Sequence, residues 1–290
     1  MIELGLPGSP GWQAPVLREA MNFLADRPWS REMLVRGSLA RGTADAQSDI
    51  DLVVTVAEDD FEAALRDLTG PFPKSLRGRL PAWVDSLVRD FGGIGFVYLL
   101  QIDEKKWGQL DVYLLPHGRR ERVFSHGPVL SLRKRDDVKA CDASTEARVD
   151  EARRRHERLA GQDPAQAALS CYVAAFLLRK RLIRRDPLQT YGDTYATADG
   201  VRNLVVLACC PRRSEQGWRG LEKCAEGSPD PGRVMKVLST FAKHDLLEQP
   251  AELSGRVAAL EEIVALLAPD AWRDHGDSLR SLGRYLCSNP

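Results

Sequence analysis

Gly37-Ser38-Leu39-Ala40-Arg41-Gly42-Thr43, then Ala44-Asp45-Ala46-Gln47, then Ser48-Asp49-Ile50-Asp51-Leu52, is the stretch on which the reading of this 290-residue chain turns. Strand patterns flank its two halves: Glu32 to Arg36 (E-M-L-V-R) runs into Gly37, and Asp49 to Val56 (D-I-D-L-V-V-T-V) carries the chain onward. Because side chains alternate along a strand, Asp49 and Asp51 fall on one face, two residues apart. A close pair of like charges repels by about 1 to 4 kcal/mol, depending on the effective dielectric. The pair therefore predicts a cation between the two acids. Hard oxygen donors with open positions suit Mg²⁺, which takes one or two carboxylates together with waters and substrate phosphates. The implied substrate is a nucleoside triphosphate.

Gly37-Ser38 supplies the complementary half of such a site. Glycine permits close backbone approach, and the two N–H groups and the Ser38 hydroxyl can donate to phosphate oxygens at a helix start. Arg41 is a further phosphate candidate or else a salt-bridge partner of Asp45, and Ser48 is a candidate for the same nucleotide. G-S-L-A-R-G also fits the outline of a P-loop, but Thr43 stands where that motif requires Lys, and no G-x-G-x-x-G occurs. Kinase and dinucleotide-binding readings lose their main support.

A third acid, Asp111, lies in W-G-Q-L-D-V-Y-L-L-P, inside an apolar strand pattern where an unpaired carboxylate is costly to bury. If that strand lies beside the one carrying Asp49 and Asp51, three carboxylates converge. Such a triad holds two divalent ions roughly 3.5 to 4 Å apart. Asp111 is then a metal ligand or the base that takes the acceptor's proton.

Outward from the motif, the first part of the chain alternates between helix and strand. Helices are predicted over Pro15 to Leu24, from Asp59 and Asp60 through Leu68, and over Ala82 to Phe91. Strands are predicted over Gly95 to Ile102 and Gln109 to Leu115, and Gly70 to Pro81 reads as a loop. Beyond residue 145 the strand signal disappears. Helical periodicity covers Thr145 to Ala160, Pro164 to Arg184, Thr194 to Cys210, Pro231 to Lys243, Ala251 to Leu267 and Asp274 to Cys287. The expected class is α+β: a mixed-sheet catalytic domain over 1–140, then an all-α helical bundle over 141–290 that contributes to the acceptor and nucleotide cleft.

Composition narrows the function further. Lys plus Arg and Asp plus Glu are both 41, and hydrophobic residues make up 43%, as in folded globular proteins. Neither half has the positive field with which a protein grips long nucleic acid: residues 1–140 carry 19 basic and 20 acidic side chains. No apolar run reaches the length of a membrane span, and the first residues lack a signal-peptide pattern, so a cytoplasmic enzyme is expected. The six cysteines show no zinc-ligand spacing and read as reduced thiols. On the helix A-L-S-C-Y-V-A-A-F-L-L-R-K-R, the cluster Arg179, Lys180 and Arg181 is either a solvated helix end or a set of cations for the triphosphate. Lys180 is carried as the nucleotide-binding candidate. Tyr172, Phe176, Tyr191, Tyr195 and Trp218 are candidates for core or for a ligand pocket.

G-S-x-A-R-G followed by S-D-I-D-L, with Asp111 as third acid, resembles the signature of the DNA polymerase β nucleotidyltransferase superfamily. A small catalytic domain followed by helices is similar to the antibiotic members, the aminoglycoside and lincosamide adenylyltransferases. The resemblance implies transfer of a nucleoside monophosphate, usually AMP from ATP, to a hydroxyl of a small molecule with Mg²⁺. It assigns Asp49, Asp51 and Asp111 to metal and catalysis and Gly37, Ser38, Arg41 and Ser48 to the nucleotide. Some relatives use a glutamate as base, for which Glu104 and Glu121 are the nearest residues. Alternatives sharing the catalytic domain are a cyclic-oligonucleotide synthase and a protein- or tRNA-modifying nucleotidyltransferase. A binding module without catalysis is the alternative from another class.

Overall fold

The computed structural model describes residues 11–76, 78, 80–85, 91–125, 127–135, 143–210, 217–243 and 247–289. The chain divides into two compact units, Met1–Leu159 and Ala160–Pro290. The boundary expected at residue 140 falls on residues outside the described ones. Helix α6 (Ala143–Gly161) runs through most of that interval, and its Val149 and Ala152 belong to the core of the first unit.

The first unit is built on a six-stranded mixed sheet in the order β3-β4-β5-β2-β1-β6. Its strands are β1 (Ser30–Arg36), β2 (Ile50–Val56), β3 (Trp83–Asp85), β4 (Ile94–Gln101), β5 (Trp107–Pro116) and β6 (Leu130–Lys134). β2 and β5 are parallel, and every other neighbouring pair is antiparallel. The register pairs Asp51 with Asp111 across β2 and β5, and Arg36 with Asp51 across β1 and β2.

Strand periodicity sorts the residues onto two faces. Met33, Val35, Leu52, Val54, Phe96, Tyr98, Leu110, Val112 and Leu114 lie in one large core with α1 (Gln13–Ala25) and α3 (Phe61–Thr69). Leu34, Val53 and Leu115, from the alternate positions, form a smaller cluster with Phe91 and Val123. Asp51, Asp111 and Tyr113 share that second face. A two-toothed ion pair ties the unit together: Arg119 donates to both oxygens of Asp150 on α6 at 2.8 and 3.1 Å, and to the Gly92 carbonyl at 2.8 Å. The guanidinium holds the Asp150 carboxyl below its ordinary range.

Local elements around the sheet differ from the sequence expectation. Within the expected helix Ala82 to Phe91, Trp83–Asp85 instead forms β3, an edge strand whose register partners are Val97, Phe96 and Gly95; 86–90 lie outside the described residues. Ladder pairing with β4 decides against the helical pattern, as tertiary context commonly does for a short segment rich in Trp and Val. The Gly70 to Pro81 stretch contains the short helix α4 (Pro71–Ser75), with proline at its start, where the missing N–H costs nothing. β6 pairs with β1, and the sequence reading did not anticipate it.

The second unit is helical. α7 (Pro164–Arg184), α8 (Pro187–Cys209) and α10 (Pro231–Ala242) open identically: an aspartate cap accepts from a first-turn N–H and proline follows it. The caps are Asp163, Asp186 and Asp230, with donors Ala165, Gln189 and Arg233. α9 (Leu221–Ala225), α11 (Ser254–Leu267) and α12 (Pro269–Cys287) complete the unit, around buried Tyr172, Val201, Val234, Leu260 and Leu282. No helix among the described residues is long and apolar enough to cross a membrane.

Candidate active site

β1 ends at Arg36, and the chain turns at Gly37 into the five-residue helix α2 (Gly37–Arg41). Gly37 has φ +70°, a left-handed value that disfavours any residue with a Cβ. A Cβ there would also run into Asp51 Oδ2. The turn and the acid are thus packed against each other, and glycine is the residue that lets them be. The Ser38 Oγ beside it is buried and has no hydrogen-bond partner among the described residues. An unpaired buried hydroxyl costs about 1 to 3 kcal/mol.

The loop back from α2 to β2 is clamped from outside. Gln13 Nε2 donates to the Asp45 and Ser48 carbonyls at 2.9 and 3.1 Å, and Trp12 Nε1 to the Ala46 carbonyl at 3.2 Å. Ser48 Oγ donates to Asp45 Oδ1 at 2.8 Å and accepts from the Asp45 N–H at 2.9 Å. The Ser48 hydroxyl therefore serves the turn that delivers Asp49 to the start of β2. Arg41 is exposed at the end of α2 and pairs with no carboxylate among the described residues.

Asp51 and Asp111 stand opposite each other on parallel neighbours, and Asp111 is buried at 7% exposure. Both are supplied with donors from β5 itself. Gln109 Nε2 donates to Asp111 Oδ1 and Oδ2 at 2.9 and 3.0 Å, and Tyr113 OH donates to Asp51 Oδ1 at 3.1 Å. Gln109 Oε1 is buried without a partner among the described residues. Burial first, then the charges of Asp111 and Asp51, push the Tyr113 phenol far above its ordinary range, so it remains a donor. Arg36 lies over the Phe91 and Tyr113 rings at 5.1 and 5.6 Å, bringing a cation to the same face.

A third acid joins this face. Asp85 of β3 is buried, and its register partner Gly95 is itself the partner of Tyr113. With no side chain on Gly95, the Asp85 charge reaches Tyr113 and raises its phenol further. Asp85 was hidden by the helical reading of its segment. Gln109 and Tyr113 had a legible signal, the spacing of two on either side of Asp111, but their partners follow only from the register.

Asp49 precedes the first paired residue of β2, so the ladder does not fix its direction as it fixes Asp51. Among the described residues no group of three or more His, Cys, Asp or Glu side chains is arranged to hold a metal ion. Asp49, Asp51 and Asp111 accordingly do not close into a three-ligand cluster. What is present is a facing carboxylate pair beside a turn with an unpartnered hydroxyl. An all-oxygen set of one or two carboxylates that leaves positions for phosphate and water fits Mg²⁺.

Lys180 is buried on α7 in the second unit, with its ammonium 5.9 Å from the Phe176 ring. Its neighbours have structural partners: Arg179 donates to the Tyr285 carbonyl and hydroxyl at 3.0 and 3.1 Å, and Arg181 pairs with Asp193 at 3.3 Å. Tyr172 is core, Phe176 stacks on Tyr285, and Tyr191 and Tyr195 are exposed. Glu121 pairs with Arg120, and Glu104 is exposed in the β4–β5 turn.

Residues 16–107 match the family model of the nucleotidyltransferase domain. That interval contains the Gly37-Ser38 turn, Asp49 and Asp51, and it stops short of Gln109, Asp111 and Tyr113. The match supports nucleotidyl transfer as the general chemistry of the first unit. A solved structure described as a nucleotidyltransferase-like protein from Exiguobacterium sibiricum 255-15 is 14% identical, covering 94% of this chain and 77% of that one at a TM-score of 0.27. No curated protein matches the sequence.

Proposed function

We propose that the protein is a Mg²⁺-dependent nucleotidyltransferase that moves a nucleoside monophosphate, AMP from ATP, onto a hydroxyl of a small molecule of the antibiotic type. One observation carries the reading. Asp51 and Asp111 face each other in register, and the Asp51 oxygen that is not bound to Tyr113 lies against Gly37, next to the buried Ser38 hydroxyl, which has no partner among the described residues. Carboxylates on one side and phosphate donors on the other are the two halves that a nucleoside triphosphate with its divalent ion requires.

Asp51 and Asp111, with Asp49 at the strand's entry, would hold Mg²⁺, which when bound supplies charge neutralisation for the triphosphate and acidifies the attacking hydroxyl. The Gly37 and Ser38 N–H groups and the Ser38 hydroxyl bind phosphate oxygens and fix the nucleotide against β2. Asp111, oriented by Gln109, takes the proton of the acceptor hydroxyl. The acceptor oxygen forms a bond to the α-phosphorus, the bond from that phosphorus to the bridging oxygen breaks, and pyrophosphate leaves with the electron pair. Positioning and charge supply the catalysis, with no covalent intermediate on the chain.

Pyrophosphate release across a panel of hydroxyl-bearing antibiotics, with ATP or GTP and Mg²⁺, tests the proposal. Asp111→Asn is expected to lower turnover by about a thousandfold with the fold intact, the scale of losing a group that stabilises transition-state charge. Full activity in that variant, or no acceptor-dependent pyrophosphate release from the unmodified chain, overturns the reading.

A further inference from the structure

The acid-bearing face holds an arrangement that two carboxylates and a phosphate turn do not by themselves require. Gln109 and Tyr113 flank Asp111 at two residues either side, so all three project from one face of β5. Each flanking residue donates to a different acid, Gln109 to Asp111 and Tyr113 to Asp51. The two oxygens of Asp51 are thereby made unequal. Oδ1 is tied back to β5 by the phenol at 3.1 Å, and Oδ2 is the one that a Cβ on Gly37 would strike.

Tyr113 is itself held. Its ring is partly buried, and the Arg36 guanidinium lies across it and across Phe91. The terminal torsion of an aspartate is broad and nearly twofold, so an untethered carboxylate has no fixed aim. A donor to a carboxylate also offsets the repulsion between Asp51 and Asp111 before any cation arrives.

We infer that Tyr113 is a positioning residue that pins Asp51 Oδ1 and so aims Oδ2 at the Gly37-Ser38 turn, with Gln109 fixing Asp111 in the same way. The inference rests on the nucleotidyl-transfer reading above, because the phosphate turn gives that aim its purpose. Outer partners of metal-binding side chains typically contribute about ten- to a hundredfold in metal affinity.

The test uses the full chain and Mn²⁺ alone, without nucleotide, and follows the free ion by its paramagnetic resonance. Tyr113→Phe keeps the ring under Arg36 and removes only the hydroxyl; Asp51→Asn removes the ligand. Tyr113→Phe is expected to bind Mn²⁺ about tenfold more weakly while staying folded, with a melting temperature lowered only by the loss of one hydrogen bond to Asp51. The divalent-ion concentration giving half-maximal pyrophosphate release should rise by the same factor. Gln109→Met reads the same effect through Asp111 and serves if the tyrosine variant melts early. If Tyr113→Phe and Gln109→Met bind Mn²⁺ like the unmodified chain while Asp51→Asn does not, the positioning role falls and the functional reading stands. If the unmodified chain binds no better than Asp51→Asn, both fall together.

Discussion

On one face of the sheet β2 and β5 present Leu52, Val54, Val56, Leu110, Val112 and Leu114, every one fully buried in the large core; on the other, the same strands present Asp51, Val53, Thr55, Gln109, Asp111 and Tyr113. The backbone is shared, the ladder is shared, and only the parity of the residue number differs. The apolar face supplies what anchors the strands, each fully buried aliphatic or aromatic side chain contributing about 1.5 to 3 kcal/mol by transfer from water. The acid face spends stability instead, since facing like charges and unpaired buried groups are unfavourable. Rigid strands held by one face are what allow the other to keep Asp51 opposite Asp111.

That contrast breaks most visibly on the apolar side. Phe96 is fully buried on β4, in the large core. Phe96→Ala is expected to destabilise the protein by about 3 to 5 kcal/mol through lost transfer energy and the cavity left behind. Activity per folded molecule should be kept, because Phe96 points away from the acids. Denaturant unfolding together with turnover at low temperature checks both halves. A variant of normal stability would show that this face is not the anchor.

Gly37→Ala sharpens the comparison at the junction between cradle and acid. The methyl group meets a left-handed φ of 70° and the position of Asp51 Oδ2 together. Backbone strain of about 1 kcal/mol or more is expected, with kcat/KM falling by about a hundredfold as Asp51 is displaced. Steady-state kinetics beside thermal melting separates the two effects. A loss of stability with full kcat/KM would detach the turn from the chemistry.

Much of this is legible in the sequence alone, for a definite reason. Period-two alternation and the glycine-serine turn are local signals, so β1, β2 and β5, with the places of Asp51 and Asp111 on them, could be read from spacing. β3 has three paired residues, too few for a periodicity, and its Asp85 was hidden with it. β6 likewise draws its definition from the edge of β1. α8 was expected from Thr194 although Asp186-Pro187 repeats the Asp-Pro start of α7 and α10; the polar run around Gly192 masked it. The roles of Gln109 and Tyr113 needed the register itself, because a hydrogen bond from residue 113 to residue 51 has no trace in local sequence.

Ser38→Ala separates stability from function most directly, with the smallest expected effect. The Ser38 hydroxyl is buried with no partner among the described residues, so replacing it with a methyl hydrogen removes an unsatisfied group. The variant should therefore melt at the same temperature or higher, by up to about 1 kcal/mol in stability. With nucleotide the sign reverses. A hydrogen bond to a charged phosphate is worth about 1.5 to 3 kcal/mol, so the KM for the nucleoside triphosphate should rise by about tenfold or more. Two instruments read the two directions, a thermal melt without ligand and a KM series with it. A variant that melts lower and keeps its KM would make the hydroxyl a structural group and remove the phosphate half of the site.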